Sequence, residues 1–278
     1  MSTETPPGTN GDLLDLLALE KVEENCFRAN YTFDEDWPLY GGQVAAQALR
    51  AAGLTVEEDR TPHSLHGYFL RAGDASRPTL LQVDRDRDGR SFSARRVVAI
   101  QRGEVIFSAS VSFATPAQGM DLQTPELPAV TPAEECLVWD VPRMFSLDVR
   151  IPPEDGIEAW PSRFWSRFTT TIGDDPLLNA CALAYLSDVS ADLHRWDTDG
   201  FIPAASLDHA VWVHHPPRMD EWVFTDYTAR SMRATAACTP ARSSTPRDGW
   251  SRASPRRRCT GSCAEPQTSV TRTPACAL

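Results

Sequence analysis

The chain has 278 residues and a mass of 30.7 kDa, with 41% hydrophobic and 23% charged residues. That is globular composition, with length enough for about two domains, each burying its own core. A formal charge of -11 argues against nucleic acid as a partner, no apolar run approaches the ~20 residues that cross a bilayer, and the opening MSTETPPGTNGDLLDLL lacks the basic-then-apolar order of a signal peptide. The expectation is a cytoplasmic protein without nucleic-acid or membrane partners.

Residues 1–11 are polar and predicted to be flexible. Asp12 then caps LLDLLALEKVEE, a short helix in which Leu13, Leu14, Leu17 and Ala18 can share a face. YGGQVAAQALRAAG reads as a helix opening at Gly41-Gly42 and closing at Gly53, small or apolar on most sides and therefore buried. PHSLHGYFLR and TLLQVDRD follow as strands, and SFSARRVVAIQRGEVIFSASVSFA as a long hairpin turning at Arg102-Gly103. A buried helix followed by a curved antiparallel sheet is the layout of a hotdog fold. Residues 12–116 thus form a first unit, and the Pro-rich, polar residues 117–131 a linker.

The pattern then restarts over residues 132–233. Asp175 and Pro176 cap LLNACALAYL, a second small-residue helix. ASLDHAVWVHH lines up with HSLHGYFLRA, so that Ser206-Leu207 repeats Ser64-Leu65, and EWVFTDYTARS lines up with TLLQVDRDRDGRS. A closing hairpin should follow, and it does not: past Arg233 the large apolar residues are Trp250, Val270 and Leu278, with no alternation. The second unit is incomplete as written.

Residues 234–278 differ in kind from the rest. They hold seven arginines against one Asp and one Glu, a net of +5, so that residues 1–233 carry -16. Four of the seven cysteines crowd there: Cys238, Cys259, Cys263 and Cys276. No disulfide framework is expected from an odd total in such a chain, and Cys259 and Cys263 lack a second pair at zinc-ligand spacing. A basic run without interleaved aromatics does not specify nucleic acid either.

Of the 27 basic residues only Lys21 is a lysine, the usage of a GC-rich gene. Such a gene read out of frame yields Ala, Arg, Pro, Ser, Thr, Gly and Cys, the composition of the tail. Read from the third base of each codon, with G or C in most free positions, GWSRASPRRRCTGSC can spell L-V-A-S-V-A-Q-E-A-L-Y-R-E-L. The stretch CTPARSS can spell L-Y-T-G-E-I-F. Together these have the alternation of the absent hairpin and match GEVIFSASVSFA in kind. The reading is a frameshift near residues 232–236, with 234–278 an out-of-frame, disordered tail.

YGGQVAAQAL, HSLHGYFLRAGD, RDGRSFSARRVVAIQRGEVIF, AYLSD and SLDHAVWVH, in this order, resemble the acyl-CoA thioesterase II family over about residues 12–231, most strongly over 41–114. The resemblance implies an α+β double hotdog that hydrolyses fatty acyl-CoA to fatty acid and coenzyme A without metal or organic cofactor, and that assembles as a homo-oligomer. The family holds its attacking water with an Asp, a Thr or Ser, and a Gln. The Asp matches Asp188 and the hydroxyl matches Ser206. Nothing in the sequence as given matches the Gln, which in the shifted frame is spelled across the codons of Pro255 and Arg256.

The residue types fit that chemistry. A carboxylate in hydrogen-bond reach of water can take its proton during attack, and Asp188 follows a buried helix whose C-terminal dipole, with burial, should raise its pKa. Gly41 and Gly42, at a helix start, can supply backbone N–H groups to an oxyanion. Arg90, Ser91 and Phe92 in the strand turn are read as lining a coenzyme A groove, with Arg95 or Arg96 near its phosphates.

Two alternatives stay open. The chain as written could bind acyl-CoA without turning it over, or be inactive, for want of the Gln. His63 and His66 could serve a hydroxyacyl-thioester dehydratase, although core or supporting histidines are the plainer reading. Asp208-His209 reads as a structural pair at a strand start, with a catalytic role as the alternative.

Overall fold

The computed structural model describes residues 11–33, 38–117, 129–139, 146–155, 161–189, 206–227 and a strand at 269–271. Most of the expected linker, the first ten residues, and the tail apart from 269–271 lie outside the described residues.

Helix α1 (Leu13–Leu17) starts where expected. Asp12 accepts from the N–H groups of Leu14 and Asp15 at 2.8 and 3.1 Å, and Asp15 accepts in return from the Asp12 N–H at 2.9 Å. It ends sooner than expected, because Ala18 turns extended and the next residues enter strand β1 (Leu19–Glu23). This strand pairs with β2 (Cys26–Ala29) around Asn25, whose φ of 57° suits a tight turn. The gain is a ladder, since β2 continues onto β4 (Thr79–Asp88), and ladder pairing overrides local helical periodicity.

Helix α2 (Gly41–Gly53) is buried on almost every side, with Ala45, Ala46, Ala48, Ala51 and Ala52 fully inaccessible. Around it runs a sheet in the order β1-β2-β4-β5-β6-β3, with β3 (Thr61–Phe69), β5 (Phe92–Gln101) and β6 (Glu104–Ala114), all antiparallel. The β5–β6 hairpin turns at Arg102-Gly103, where φ is positive at both residues, the geometry that follows strand twist.

The second unit is built around helix α3 (Pro176–Ser187), capped by Asp175 with Pro176 at the first position. Before it lie β7 (Leu137–Val138), β8 (Leu147–Ile151) and β9 (Arg163–Phe168), strands that the sequence reading passed over. Their signal is weak: β9 is buried on both faces, so RFWSRF shows no alternation. After α3 come β10 (Asp208–Trp212), which adds to the first sheet against β3, and β11 (Val223–Asp226), which pairs with β9. One continuous core joins both units.

The two helices run antiparallel. A Cβ on Gly53, at the end of α2, would lie 2.4 Å from Leu177 at the start of α3, and one on Gly42 would lie 2.3 Å from the carbonyl oxygen of Tyr185 near the end of α3. Each helix therefore presents its N-terminus to the C-terminus of the other. Gly42→Ala forces those backbones apart; the expected result is a destabilisation of about 1–3 kcal/mol in denaturant melts, and an unchanged midpoint would contradict the close approach.

The units differ at one place. In the first, β5 and β6 fill the space between β4 and β3; in the second, the described residues between β11 and β10 provide one short strand, β12 (Ser269–Thr271), paired with β11 alone. Residues 228–268, where the repeat pattern would place a closing hairpin, lie outside the described residues.

Arg95, read from sequence as a phosphate contact, has another role. It is 1% exposed, and its guanidinium donates to Thr55 Oγ1 and O at 2.8 and 3.0 Å, to the Arg87 and Ala94 carbonyls at 3.0 and 2.9 Å, and to Asp88 at 2.7 Å. It ties the end of α2 to the β4–β5 pair. Replacing it leaves buried acceptors without donors, so Arg95→Met should cost about 3–5 kcal/mol of unfolding free energy; loss of less than 1 kcal/mol would deny it this role. Arg96 points outward and pairs with Asp84 and Asp86 at 3.1 and 3.3 Å.

Candidate active site

Asp188 is the C-cap of α3 and sits where that helix meets the start of α2. Its side chain is 12% exposed. It accepts hydrogen bonds from the Gly42 N–H and from the Ser206 hydroxyl, and burial nevertheless raises its pKa to about 7. Burial is the larger effect, because the two donors favour the charged form and pull the other way.

The neighbouring glycines make this contact possible. A Cβ on Gly41 would lie 2.4 Å from Asp188 Oδ2 and 2.9 Å from the Phe69 ring. A side chain there displaces the carboxylate. Gly41→Ala is expected to lower kcat at least 10-fold with the fold retained; equal kcat would show that the carboxylate position is not critical. The Gly42 N–H, read from sequence as an oxyanion donor, is engaged by Asp188 instead.

Two tyrosines complete the end of α3. Tyr40 donates to the Tyr185 carbonyl at 2.7 Å, and Tyr227 to the Leu186 and Ser187 carbonyls at 3.4 and 3.3 Å. They satisfy carbonyls that a helix end leaves without intrahelical partners. Burial, followed by the charge of Asp188, raises the pKa of both, so each remains a neutral donor. Neither residue stood out in the sequence; the one available signal was Tyr40 directly before the glycine pair.

His209 lies in the same cluster. It is 6% exposed, its Nε2 is 2.8 Å from Ser187 Oγ, and its Nδ1 is 3.9 Å from Asp188 Oδ1. Burial lowers its pKa to about 4, so the imidazole is neutral. The expected Asp208-His209 pair therefore divides: adjacent strand residues face opposite ways, and His209 turns inward opposite Gly67 while Asp208 stands opposite Tyr68.

Other expected residues lie elsewhere. His63 and His66 are exposed on the outer face of the sheet, with His66 edge-to-face against Trp212 at 4.8 Å, so they are neither core histidines nor neighbours of Asp188. Arg90, Ser91 and Phe92 occupy the β4–β5 turn, which Arg60 clamps through the Gly89 and Arg90 carbonyls. Phe92 is level with Thr61 and His209 with Gly67. Six residues of strand, about 20 Å, separate the turn from Asp188 along the strand direction. Among the described residues, no group of three or more His, Cys, Asp or Glu could hold a metal ion, and no helix is long and apolar enough to cross a membrane.

Residues 33–114 match the family model of the acyl-CoA thioesterase N-terminal domain, and residues 116–254 that of the C-terminal domain. The chain belongs to the acyl-CoA thioesterase family. It is 36% identical over 255 residues to acyl-coenzyme A thioesterase 8 of Homo sapiens, covering 78% of this chain and 79% of that protein. To acyl-CoA thioesterase 2 of Haemophilus influenzae it is 33% identical over 241 residues, 76% and 83% of the two chains. The crystal structure of acyl-CoA thioesterase II TesB2 from Mycobacterium marinum superposes with a TM-score of 0.66 at 40% identity, covering 81% of this chain and 86% of that one. The thioesterase is thus a double hotdog, and its C-terminal-domain match runs into the basic tail.

Proposed function

We propose that this thioester hydrolase cleaves fatty acyl-CoA with Asp188 as general base and Ser206 holding it. The observation that carries the reading is the Asp188 carboxylate: buried at the junction of two helices, fixed by Gly42 and Ser206, and poised near pH 7. Water bound beside it loses a proton to the carboxylate as its oxygen bonds to the thioester carbonyl carbon. The tetrahedral intermediate then expels the coenzyme A thiolate, which takes the proton back as the C–S bond breaks. Asp188 finishes ionised, and fatty acid and free thiol leave. The test is release of free thiol from acyl-CoA by the purified chain and by its Asp188 variant.

The same reading treats the protein as a cytoplasmic homo-oligomer of lipid metabolism, with residues 12–116 and 132–233 as its two hotdog units. It also takes residues 234–278 to be out of frame. One observation is compatible with the latter: among the described residues, β10 has no strand partner on its second edge, and β12 gives β11 a three-residue one. The restored segment would supply the closing hairpin, and with it the water-holding Gln that the resemblance implies.

A further inference from the structure

The proton on the His209 ring can be placed from geometry. Ser187 Oγ lies 3.0 Å from the Ala184 carbonyl, which can accept only, so the hydroxyl hydrogen is committed there. The His209 nitrogen 2.8 Å from the same oxygen must then be the donor, which puts the hydrogen on Nε2. Nδ1 is left as a bare acceptor, 3.9 Å from Asp188 Oδ1. That gap is too long for a direct hydrogen bond, and it suits one water whose two hydrogens reach both acceptors.

Resting on the reaction proposed above, we infer that His209 is a positioning residue for the attacking water: Nδ1 accepts the hydrogen that Asp188 does not take. With one hydrogen on the base and the other on His209, the water can turn only its lone pairs towards the thioester carbon. Ser187 sets this arrangement by fixing the tautomer, and burial keeps the ring from becoming a competing cation. The groups that face this pair are Gly42 and Tyr40 from the start of α2, Ser187 from α3, Phe69 from β3, Ser206 just before β10, and Tyr227 after β11, while the charge of Asp208 acts on the ring from the other side of its strand.

The test compares His209→Asn, whose amide oxygen can stand in for Nδ1, with His209→Gln, whose amide nitrogen can keep the Ser187 contact without offering that acceptor. His209→Gln should lose about 10- to 100-fold in kcat with KM little changed, and His209→Asn should retain most of its turnover. The acid limb of the kcat profile should stay where Asp188 sets it. Two results would overturn the inference: kcat of His209→Gln within twofold of the parent, or losses in both variants that simply follow their melting temperatures.

Nitrogen-15 histidine spectra of the full chain read the tautomer without any turnover. The expected state is a neutral ring with its hydrogen on Nε2 at pH 6, and an Nδ1–H ring would end the proposal. If Asp188→Asn stays active, the general-base reading falls. If Asp188→Asn is inactive while His209→Gln is not, only the role of His209 falls.

Discussion

Asp188→Asn is expected to lower kcat for thioester hydrolysis by about 100- to 10,000-fold, the usual contribution of a general base, while making the folded chain more stable. The two effects have one origin. The folded carboxyl titrates at about 7, whereas an unfolded Asp titrates near 3.9. Between those values the folded state holds a proton that the unfolded state has released. The associated stabilisation is fully present below about pH 4 and is lost by about pH 7, where roughly 4 kcal/mol has gone. Asn has no charge to bury, so the variant should lack this slope. Denaturant melts at pH 5 and pH 8 give the comparison, and equal pH dependence in parent and variant would refute the assignment. The kcat of the parent should rise through about pH 7 as the base ionises.

A gene restored to frame after about residue 233 should give a chain more stable than the present one by several kcal/mol, about 10 °C or more in Tm, and more active. Two strands placed between β11 and β10 would give β10 a ladder on its second edge and replace the three-residue pairing of β12 on β11. The amides of β10 report this directly, because its second edge has no strand partner among the described residues; hydrogen exchange there should slow. Three chains separate the possibilities: the present one, one ended after Arg233, and the restored one. If all three melt and turn over alike, the frameshift reading is wrong and the tail needs another explanation.

The long periodic elements were legible because their patterns are strong. YGGQVAAQALRAAG could only be a buried helix, and SFSARRVVAIQRGEVIFSASVSFA could only be a hairpin turning at Arg102-Gly103. Asp188 and Ser206 were found through the family resemblance, and geometry now brings them into hydrogen-bond contact. What stayed hidden was set by distant partners. Arg95 looks like any sheet arginine until Thr55 and Asp88 close around it. His209 joins the site because Gly67, its neighbour across the strands, has no side chain, and because Ser187 ends a helix beside it. His63 and His66, close to one another in sequence, were misplaced because a strand puts them on a face that local pattern alone does not orient.

The antiparallel helix pair has two comparable ends, and they have diverged. At one end α3 stops at Asp188; at the other α2 stops at Leu54, next to the Thr55 that Arg95 holds. An assembly of two identical single units must carry the same residue at both ends, so a buried acid adopted for reactivity would weaken the protein twice. Joining the units in one chain removes that constraint. One end can keep a group that is poorly solvated and reactive, while the other is free to evolve a fully bonded lock that offsets the loss. Covalent fusion here lets durability and reactivity be selected at separate positions.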